Sequence, residues 1–284
     1  MATLLLGKPV ADALKARISE ELEALKQEHI FPKLAIVRVG ERPDDLSYER
    51  SAIKTAASLG IEVATFAFPE TVSHARLAQT IEHINADANI YGCLLFRPLP
   101  KTLDETSICN ALSPQKDLDG IGLGSLASLF AGTHEGFPPC TAQACVELCK
   151  FYGISLQGKK IAVIGRSLVI GKPAAMLFLD ENATVTICHS RSENLASITQ
   201  DADVVICATG RAKAYDARYF RAGQTVIDVG INVDAEGNLC GDVDFDSVEP
   251  LVAAITPVPR GVGSVTTSLL LLHLVQAAKR QASN

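Results

Sequence analysis

The chain has 284 residues, 48% of them hydrophobic and 20% charged, and a formal net charge of -6 at pH 7. This composition provides apolar material for one large or two ordinary domains, and it excludes a disordered or fibrous protein. Because the charge is acidic and no long run of Lys or Arg occurs, we predict binding to neither nucleic acid nor an anionic membrane. The expected partner is a small molecule.

The N-terminal stretch "MATLLLGKPV" lacks the basic segment and the cleavage pattern of a signal peptide, and no segment approaches the roughly 20 apolar residues of a membrane span. The eight cysteines include no C-x-x-C pair, and most lie in apolar runs. Cys145 and Cys149 share a helix face, but no His or Asp lies nearby in the sequence, so we predict no metal site. The expected location is the cytoplasm, with free thiols.

In the first half of the chain, a helical pattern over residues 9–27 precedes three strand-like segments at 33–39, 61–68 and 91–96. The helix has Pro9 near its first turn, where proline is well tolerated. Helical segments separate the strands, which is typical of a parallel sheet with crossover helices. We expect these strands to form one sheet.

A second series begins near residue 139 with a helical segment at 141–153. Four short apolar strands follow, at 159–165, 183–189, 202–208 and 224–230, and a long apolar helix at 264–281 ends the chain. Continuously apolar strands of this kind are typical of doubly wound parallel sheets, in which both faces are buried. The sequence therefore predicts an α/β protein with two sheets.

The segment "VIGRSLVIGKPAAMLFL" at 163–179 has the features of a phosphate-binding loop. Gly165 directly follows a strand and Gly171 begins a helix, so the backbone can approach a pyrophosphate at a helix N-terminus. The spacing is G-x-S-x-x-x-G rather than G-x-G-x-x-G, and an ordinary strand-to-helix turn is the alternative.

The next strand ends in "CHSRS", and this ending bears on the choice of cofactor. An acid at this point would select NAD through the ribose 2′-hydroxyl, but the chain has Ser190 and Arg191 instead. A hydroxyl and a guanidinium suit a 2′-phosphate, so NADP is predicted, with Arg166 as a second contact. Arg191 as a solvated surface charge remains the alternative, and we interpret His189 as a turn residue.

The following two strands end in "ICATG" and "DVGIN". Their small residues would let a dinucleotide lie over the carboxyl ends of the strands, where open α/β sheets bind ligands. The two motifs place Thr209, Gly210 and Ile231 among the candidate cofactor contacts.

Eight motifs together resemble one enzyme family over nearly the whole chain. They are "GRSLVIGKP", "CHSRS", "ATG", "DVGIN", "GDVDF", "KDLDGIG", "PLP" and "TPVPRGVGSVT". The chain resembles the methylenetetrahydrofolate dehydrogenase/cyclohydrolase family in its bacterial stand-alone form. That resemblance implies an N-terminal α/β folate-binding domain (1–138 plus 264–284), a Rossmann-like NADP-binding domain (139–263), a cleft between them, and a homodimer.

The resemblance also implies roles for individual residues. Tyr48 matches the tyrosine that stacks on the aminobenzoate ring of the folate, and Asp119 matches the carboxylate that binds the pterin. Without the family match, a core tyrosine and a turn aspartate would be the simpler interpretations. The predicted cofactor contacts are Gly165, Arg166, Ser167, Gly171, Ser190, Arg191, Thr209, Gly210 and Ile231.

The chain departs from the family pattern beside Tyr48. The family has Tyr-x-x-x-Lys, two residues roughly 40° apart around a helix, whereas this chain has Ala52 at the lysine position. Lys54 lies six residues after Tyr48, roughly 240° around the helix, and so faces elsewhere. The family glutamine of "VQLPLP" is replaced as well, because "LFRPLP" has Phe96 there. From the resemblance, Ala52, Leu95, Phe96 and Arg97 are predicted substrate contacts together with Tyr48 and Asp119.

These two replacements lead to a prediction about activity. Hydride transfer needs donor and acceptor held in reacting geometry, but hydrolysis of the methenyl product needs proton transfer, the role that the family assigns to its lysine. We expect a dehydrogenase with weak or absent cyclohydrolase activity. The alternatives are the full bifunctional enzyme and a non-catalytic folate- or nucleotide-binding paralogue.

A third departure lies in the loop that the resemblance places beside the folate. The family has "PGGVGPMT", and this chain has "PRGVGSVT", with Pro259, Arg260, Gly261 and Gly263 as predicted substrate contacts. If Arg260 has a positive φ, it carries strain that a glycine would not. Arg97 and Arg260 either bind an anionic group such as a glutamate tail or point into solvent.

Overall fold

The computed structural model describes residues 1–282, and these divide into two compact units. The six-stranded unit contains Met1–Asp12 and Thr141–Thr266, and the three-stranded unit contains Ala13–Cys140 and the described residues from Thr267 on. The sequence placed residues 1–12 with the three-stranded unit instead. The structure differs because the short strand β1 (Thr3–Leu4) pairs in parallel with β11 (Ala254–Ile255) of the six-stranded sheet.

The three-stranded unit contains the sheet expected from the first half of the chain. Its strands are β2 (Lys33–Val39), β3 (Glu62–Phe68) and β4 (Ile90–Leu95), parallel and in the order β3-β2-β4. The central strand β2 is almost entirely buried, whereas the edge strand β3 exposes alternate residues. Its helices are α2 (Pro43–Ser58), α3 (His74–Ala86), α4 (Glu105–Ala111), α5 (Leu123–Ala131) and most of α1 (Gly7–Gln27) and α10 (Thr266–Ala282).

Local signals in the sequence explain where these helices begin and end. The Ser73 side chain accepts a hydrogen bond from the Arg76 N–H and so caps α3. Asp104 caps α4 in the same way through the Ser107 N–H. Gly132 ends α5 with a φ of 68°, the left-handed conformation that glycine adopts at low cost.

The six-stranded unit is built on an all-parallel sheet. Its order is β1-β11-β8-β7-β5-β6, with β5 (Lys160–Ile164), β6 (Thr184–Cys188), β7 (Val204–Cys207) and β8 (Thr225–Asp228). The other elements are α6 (Cys140–Phe151), α7 (Gly171–Asp180), α8 (Leu195–Asp201), α9 (Phe245–Val248) and the hairpin of β9 (Asn232–Val233) and β10 (Leu239–Cys240). This is the predicted doubly wound α/β architecture.

One strand differs from the expectation of burial on both faces. β6 lies at the edge of the sheet and is mostly exposed, with the Ile187 side chain 37% accessible. The next three strands of the sheet, β5, β7 and β8, are buried almost throughout. Edge position, not local hydrophobicity, therefore determines the exposure of β6.

The strand order defines a switch point between β5 and β7. From β5 the chain runs to β6 on one side, and β7 then lies on the other side of β5. Loops at the carboxyl ends of such strands diverge, which opens a crevice where α/β sheets bind ligands. No helix within residues 1–282 is both long enough and apolar enough to span a bilayer.

Candidate active site

The two predicted phosphate-loop glycines lie at this switch point. Gly165 follows β5 with a φ of 131°, and a Cβ there would overlap the carbonyl oxygen of Ala208 at the end of β7. A Cβ on Gly171 would overlap the carbonyl oxygen of Gly165. The turn from β5 into α7 therefore requires glycine at both positions, because the surrounding backbone packs too closely for a side chain.

The polar side chains predicted to bind phosphate flank this turn. Arg166, Ser190 and Arg191 are exposed at the carboxyl ends of β5 and β6. The Ser167 hydroxyl accepts a hydrogen bond from the Ile170 N–H at 3.1 Å, which holds the entry to α7. Two guanidinium groups beside a helix N-terminus suit a phosphorylated ligand.

His189 has the turn role expected of it. The ring Nδ1 of His189 accepts a hydrogen bond from the backbone N–H of Arg191 at 3.2 Å. The backbone N–H of His189 donates to the Ser192 hydroxyl at 2.9 Å. The imidazole therefore shapes the loop that carries Ser190 and Arg191.

A buried carboxylate that the sequence analysis did not single out holds the neighbouring loop. Asp242 is completely buried, and its Oδ2 accepts hydrogen bonds from the Thr209 N–H, the Thr209 hydroxyl and the Gly210 N–H. Its Oδ1 accepts from the Arg211 N–H at 2.8 Å and from the Asn232 side chain at 2.9 Å. Asp242 thus fixes both the "ATG" loop and the start of the β9–β10 hairpin.

Asp228, at the end of β8, is a second buried carboxylate in this region. It accepts hydrogen bonds from the N–H groups of Gly230, Asp242 and Val243 at 2.9–3.0 Å. Burial, the largest cause, raises the pKa of Asp228 to about 7. The two carboxylates belong to the motifs "DVGIN" and "GDVDF" of the sequence analysis. A buried acid needs several hydrogen-bond donors, and applying this rule to the two motifs would have identified both aspartates as structural residues.

The two motifs also leave space for each other's aspartate. A Cβ on Gly241 would overlap the Oδ2 of Asp228, and a Cβ on Gly230 would overlap the Oδ1 of Asp242. Each glycine therefore permits the hydrogen bonds of the opposite carboxylate.

A cavity of about 240 Å³ lies beside this pair within the six-stranded unit. It is bounded by the end of β8 with the predicted cofactor residue Ile231, and by the "TPVPRGVGS" loop. Its walls include Ile231, Leu239, Pro259, Arg260, Gly261 and Gly263. The structure thus brings four predicted substrate contacts together with one predicted cofactor contact.

Arg260 has the positive φ that the sequence analysis considered. Its φ is 81°, a conformation that costs a residue with a Cβ about 1–2 kcal/mol. Its carbonyl oxygen accepts the Gly7 N–H at 2.8 Å, and a Cβ on Gly7 would overlap the Gly261 carbonyl oxygen. The Arg260 side chain is exposed at the edge of the cavity.

In the three-stranded unit, the predicted stacking residue Tyr48 lies on α2 and contacts Phe96. The ring centroids are 5.8 Å apart and the planes meet at 81°, an edge-to-face pair. Ala52, one turn after Tyr48, is completely buried, and Phe96 is 8% exposed. Leu95 belongs to the core cluster at 2% exposure, so its side chain is not available to a ligand.

A nearly buried ion pair fixes α2 next to Tyr48. The Arg38 Nε donates to Glu49 Oε2 at 2.6 Å, and the two side chains are 10% and 12% exposed. Because Arg38 lies on the central strand β2, this pair restricts rotation of the helix and thereby the direction of the Tyr48 ring.

Two lysines near the motifs have defined positions. Lys54 is exposed on α2. Lys116, in "KDLDG", is 5% exposed, and its ammonium donates to the carbonyl oxygens of Ile84, Asn85 and Asp87 at 2.7–2.9 Å. Lys116 therefore stabilises the C-terminal end of α3, a structural role that sequence reasoning missed.

Asp119 lies in a loop with a second acid. Asp117 is 1% exposed and accepts hydrogen bonds from the N–H groups of Ile121 and Gly122 and from the Ser125 hydroxyl. Asp119 Oδ1 accepts a hydrogen bond from the Cys140 N–H at 3.3 Å, and the Cys140 thiol also interacts with the carboxylate. A carboxylate has about four acceptor sites, so Asp119 retains capacity for a ligand. Burial, followed by repulsion from Asp117, raises the pKa of Asp119 to about 6.

Arg97 partly offsets this effect. Its positive charge lowers the pKa of Asp119, against the larger effect of burial. The side chain is 24% exposed and its Nη1 lies 4.0 Å from Glu105 Oε1, so the guanidinium is not simply directed into solvent. No group of three or more His, Cys, Asp or Glu side chains within residues 1–282 has the arrangement of a metal site.

The parallel sheet, the glycine turn at its switch point and the exposed basic side chains define a dinucleotide-binding domain of the Rossmann type. The residues fit such a ligand, because glycines allow a tight turn from β5 into the N-terminus of α7 and because Ser190 and Arg191, rather than an acid, come directly after His189 at the end of β6. Family profiles extend this class. Residues 139–282 match the tetrahydrofolate dehydrogenase/cyclohydrolase NAD(P)-binding domain, and residues 5–119 match the catalytic domain of the same family.

Individual relatives agree with the profiles. The chain is 51% identical over 281 residues to "Bifunctional protein FolD" of Carboxydothermus hydrogenoformans, covering 98% of both chains. It superposes with a TM-score of 0.95 on the bifunctional FolD of Campylobacter jejuni, at 34% identity and 99% and 100% coverage. It superposes with a TM-score of 0.92 on the Trypanosoma brucei FolD complexed with NADP and an inhibitor, at 31% identity, covering 100% of this chain and 99% of that one. The chain belongs to the tetrahydrofolate dehydrogenase/cyclohydrolase family.

Proposed function

We propose that the chain is an NADP-dependent 5,10-methylenetetrahydrofolate dehydrogenase that also hydrolyses the methenyl product to 10-formyltetrahydrofolate. The observation that carries the first activity is the convergence of the predicted cofactor residues at the carboxyl ends of β5, β6, β7 and β8. The names of full-length relatives support the second activity. They favour the bifunctional alternative over our prediction of weak or absent hydrolysis.

In this proposal the chain's own side chains bind and orient the two substrates. The Gly165–Gly171 turn and the Arg166 and Arg191 guanidiniums bind the phosphates, and Asp242 holds the "ATG" loop in shape. NADP, when bound, accepts the hydride from the methylene carbon. NADP is preferred to NAD because Ser190 and Arg191 follow β6 where an acid would select NAD, and the NADP complex of a relative supports this choice.

For the folate we propose the contacts that the sequence predicted. Tyr48 stacks on the aminobenzoate ring, and the Asp119 carboxylate accepts hydrogen bonds from the pterin. The resemblance implies that the loop with Pro259, Arg260, Gly261 and Gly263 also contacts the folate. The cleft between the domains, the domain boundaries, the homodimer and the cytoplasmic location remain predictions.

Dehydrogenase activity without hydrolysis is the second candidate. It is favoured by the side chains beside Tyr48, where a buried Ala52 and the Phe96 ring replace the family lysine and glutamine. A general acid or base contributes about 10²–10⁴-fold to such a step, so the loss of one would be easily measured.

A spectrophotometric assay tests both candidates. With methylenetetrahydrofolate and NADP, we expect NADPH to appear at a rate proportional to enzyme concentration. With methenyltetrahydrofolate alone, enzyme-dependent loss of its absorbance would support the bifunctional proposal, and decay at the buffer rate would support the second candidate. Absence of NADPH formation, with folate binding intact, would instead indicate a binding paralogue.

A further inference from the structure

A buried histidine lies directly behind the loop that carries Asp119. His273, on α10, is 1% exposed, and its Nδ1 lies 2.7 Å from the carbonyl oxygen of Leu118. The Cys140 thiol donates to the same oxygen at 3.4 Å. The carbonyl of the residue preceding Asp119 therefore has two partners inside the protein.

The protonation state of His273 follows from its surroundings. Burial lowers the pKa of His273 to about 4, so the ring is neutral near pH 7. A carbonyl oxygen only accepts hydrogen bonds, and so we assign the proton to Nδ1. The charged group that acts on His273 is Arg280, on the same helix, and it further lowers the His273 pKa.

Packing fixes the orientation of the imidazole ring. Phe137 stacks on it with centroids 4.8 Å apart and an interplanar angle of 23°. The Arg280 guanidinium carbon lies 4.3 Å from the centroid of the Phe137 ring. A ring held in this way can direct its N–H at one point only.

The loop itself has little freedom to compensate. The Leu118 side chain is completely buried against Gly92, where a Cβ would overlap it, and the Cys93 N–H bonds to the Lys116 carbonyl at 2.7 Å. Gly120 follows with a φ of 59°. The peptide between Leu118 and Asp119 is thus fixed at its carbonyl end by His273, and the Asp119 carboxylate extends from the same peptide.

We propose that His273 is a positioning residue whose Nδ1–H, by binding the Leu118 carbonyl, sets the direction of the Asp119 carboxylate toward the pterin of the folate substrate. This inference rests on the proposed function, in which Asp119 binds that ring. His273 itself does not touch the substrate. Its loss should therefore weaken folate binding and leave NADP binding unchanged.

The test compares two substitutions of equal size. His273→Asn keeps an N–H donor at the position of Nδ1, whereas His273→Leu has the same branched shape without a donor. A hydrogen bond contributes about 0.5–1.5 kcal/mol, or about 2- to 12-fold in binding. We expect H273L to raise the KM for methylenetetrahydrofolate by up to about tenfold, and H273N to stay within about twofold of the unsubstituted enzyme.

A double-mutant comparison separates positioning from general loss of structure. In an Asp119→Ala background, H273L should raise the folate KM no further, because the carboxylate that it positions is absent. If H273L does not fold, His273→Gln replaces it, since its amide lies one bond too far out to reproduce Nδ1. Equal effects of H273L and H273N, a parallel rise in the NADP KM, or an additive effect in the D119A background would each overturn the proposal.

The unsubstituted enzyme distinguishes this proposal from the proposed function. Calorimetric binding of tetrahydrofolate to the same variants gives a readout that does not depend on turnover. If the unsubstituted chain neither turns over methylenetetrahydrofolate nor binds tetrahydrofolate, both proposals fail. If it does either and the His273 variants are indistinguishable from it, only the positioning role fails.

Discussion

The Tyr48 and Phe96 rings pack edge to face at a centroid distance of 5.8 Å, and the buried Ala52 lies one turn after Tyr48 on α2. The resemblance places a glutamine and a lysine at positions 96 and 52. Under the second candidate, in which the chain lacks a proton-transfer group for hydrolysis, we expect the double substitution Ala52→Lys with Phe96→Gln to accelerate hydrolysis of methenyltetrahydrofolate by at least about tenfold. The decay of the methenyl absorbance measures this.

The matched control for this experiment is Ala52→Met with Phe96→Gln. Methionine has nearly the reach of lysine but no charge, so it reproduces the steric change at a completely buried position. Equal rates for the two double variants would refute a role for an amine at position 52. A thermal melt of each variant excludes unfolding as the cause.

Selection of NADP should depend on the side chain of Arg191. We expect Arg191→Ala to raise the KM for NADP by about tenfold and to leave the KM for NAD unchanged, because only NADP carries the 2′-phosphate. Arg218→Ala is the control, since Arg218 is an exposed arginine of the same unit and pairs with Asp216. A parallel change in both KM values would show that Arg191 contacts a part common to both cofactors.

Asp242 should be required for cofactor binding although it is completely buried. In Asp242→Asn, an amide group would face the N–H donors of Thr209, Gly210 and Arg211. Loss of hydrogen bonds to a charged acceptor costs about 1.5–3 kcal/mol each, so we expect a lower melting temperature and a KM for NADP at least about tenfold higher. Asp246→Asn, at an exposed position four residues later in the chain, should change neither.

Folate binding should weaken below about pH 6. The pKa of Asp119 is raised to about 6, so the carboxyl becomes protonated as the pH falls through that value and loses acceptor capacity. We expect the KM for methylenetetrahydrofolate to rise on the acid side, and Asp119→Asn to remove this dependence. A KM that is flat from pH 5 to about 8 would contradict the assignment.

The same raised pKa determines a stability effect of the opposite sense. The Asp119 carboxyl binds its proton more tightly in the folded state than in the unfolded chain. The contribution of this proton to the free energy of unfolding is therefore fully present below the pKa of the unfolded chain. That contribution is lost as the pH rises through about 6.

Replacing Arg260 with glycine should stabilise the protein slightly. Strain at a φ of 81° costs about 1–2 kcal/mol, whereas the greater freedom of glycine in the unfolded chain costs about 0.5–1 kcal/mol, so the net gain is up to about 1.5 kcal/mol. Gly237→Ala is the reciprocal control, because its φ is 84° and a Cβ there meets no atom within 4 Å. Urea unfolding measures both, and a loss of stability in R260G would contradict the argument.

Hydrophobic periodicity in the sequence was sufficient to predict most helices and strands, but not to predict which strands lie next to one another. The segments 33–39 and 159–165 are strands as predicted, because continuous apolar runs bounded by turns have few alternatives. Exposure of β6 and pairing of β1 with β11 depend on sheet order, which no local pattern contains.

The candidate site shows the same division. The glycine turn and the residues after β6 carry short motifs, and sequence alone found them. His273 and Lys116 act through main-chain carbonyls 155 and about 30 residues away in the chain, contacts that leave no motif. Asp242 was quoted within "GDVDF", yet its five donors are distributed over positions 209 to 232.

The reciprocal fit of the "DVG" and "GD" segments has a consequence for mutagenesis. Asp228 occupies the space that a side chain at 241 would need, and Asp242 occupies the space that a side chain at 230 would need. The two glycines should nevertheless respond differently in a library. Only side-chain atoms of Asp228 oppose a Cβ at 241, so shortening Asp228 should make a larger residue there tolerable. The backbone nitrogen of Asp242 also opposes a Cβ at 230, so glycine should persist at 230 whatever residue replaces Asp242.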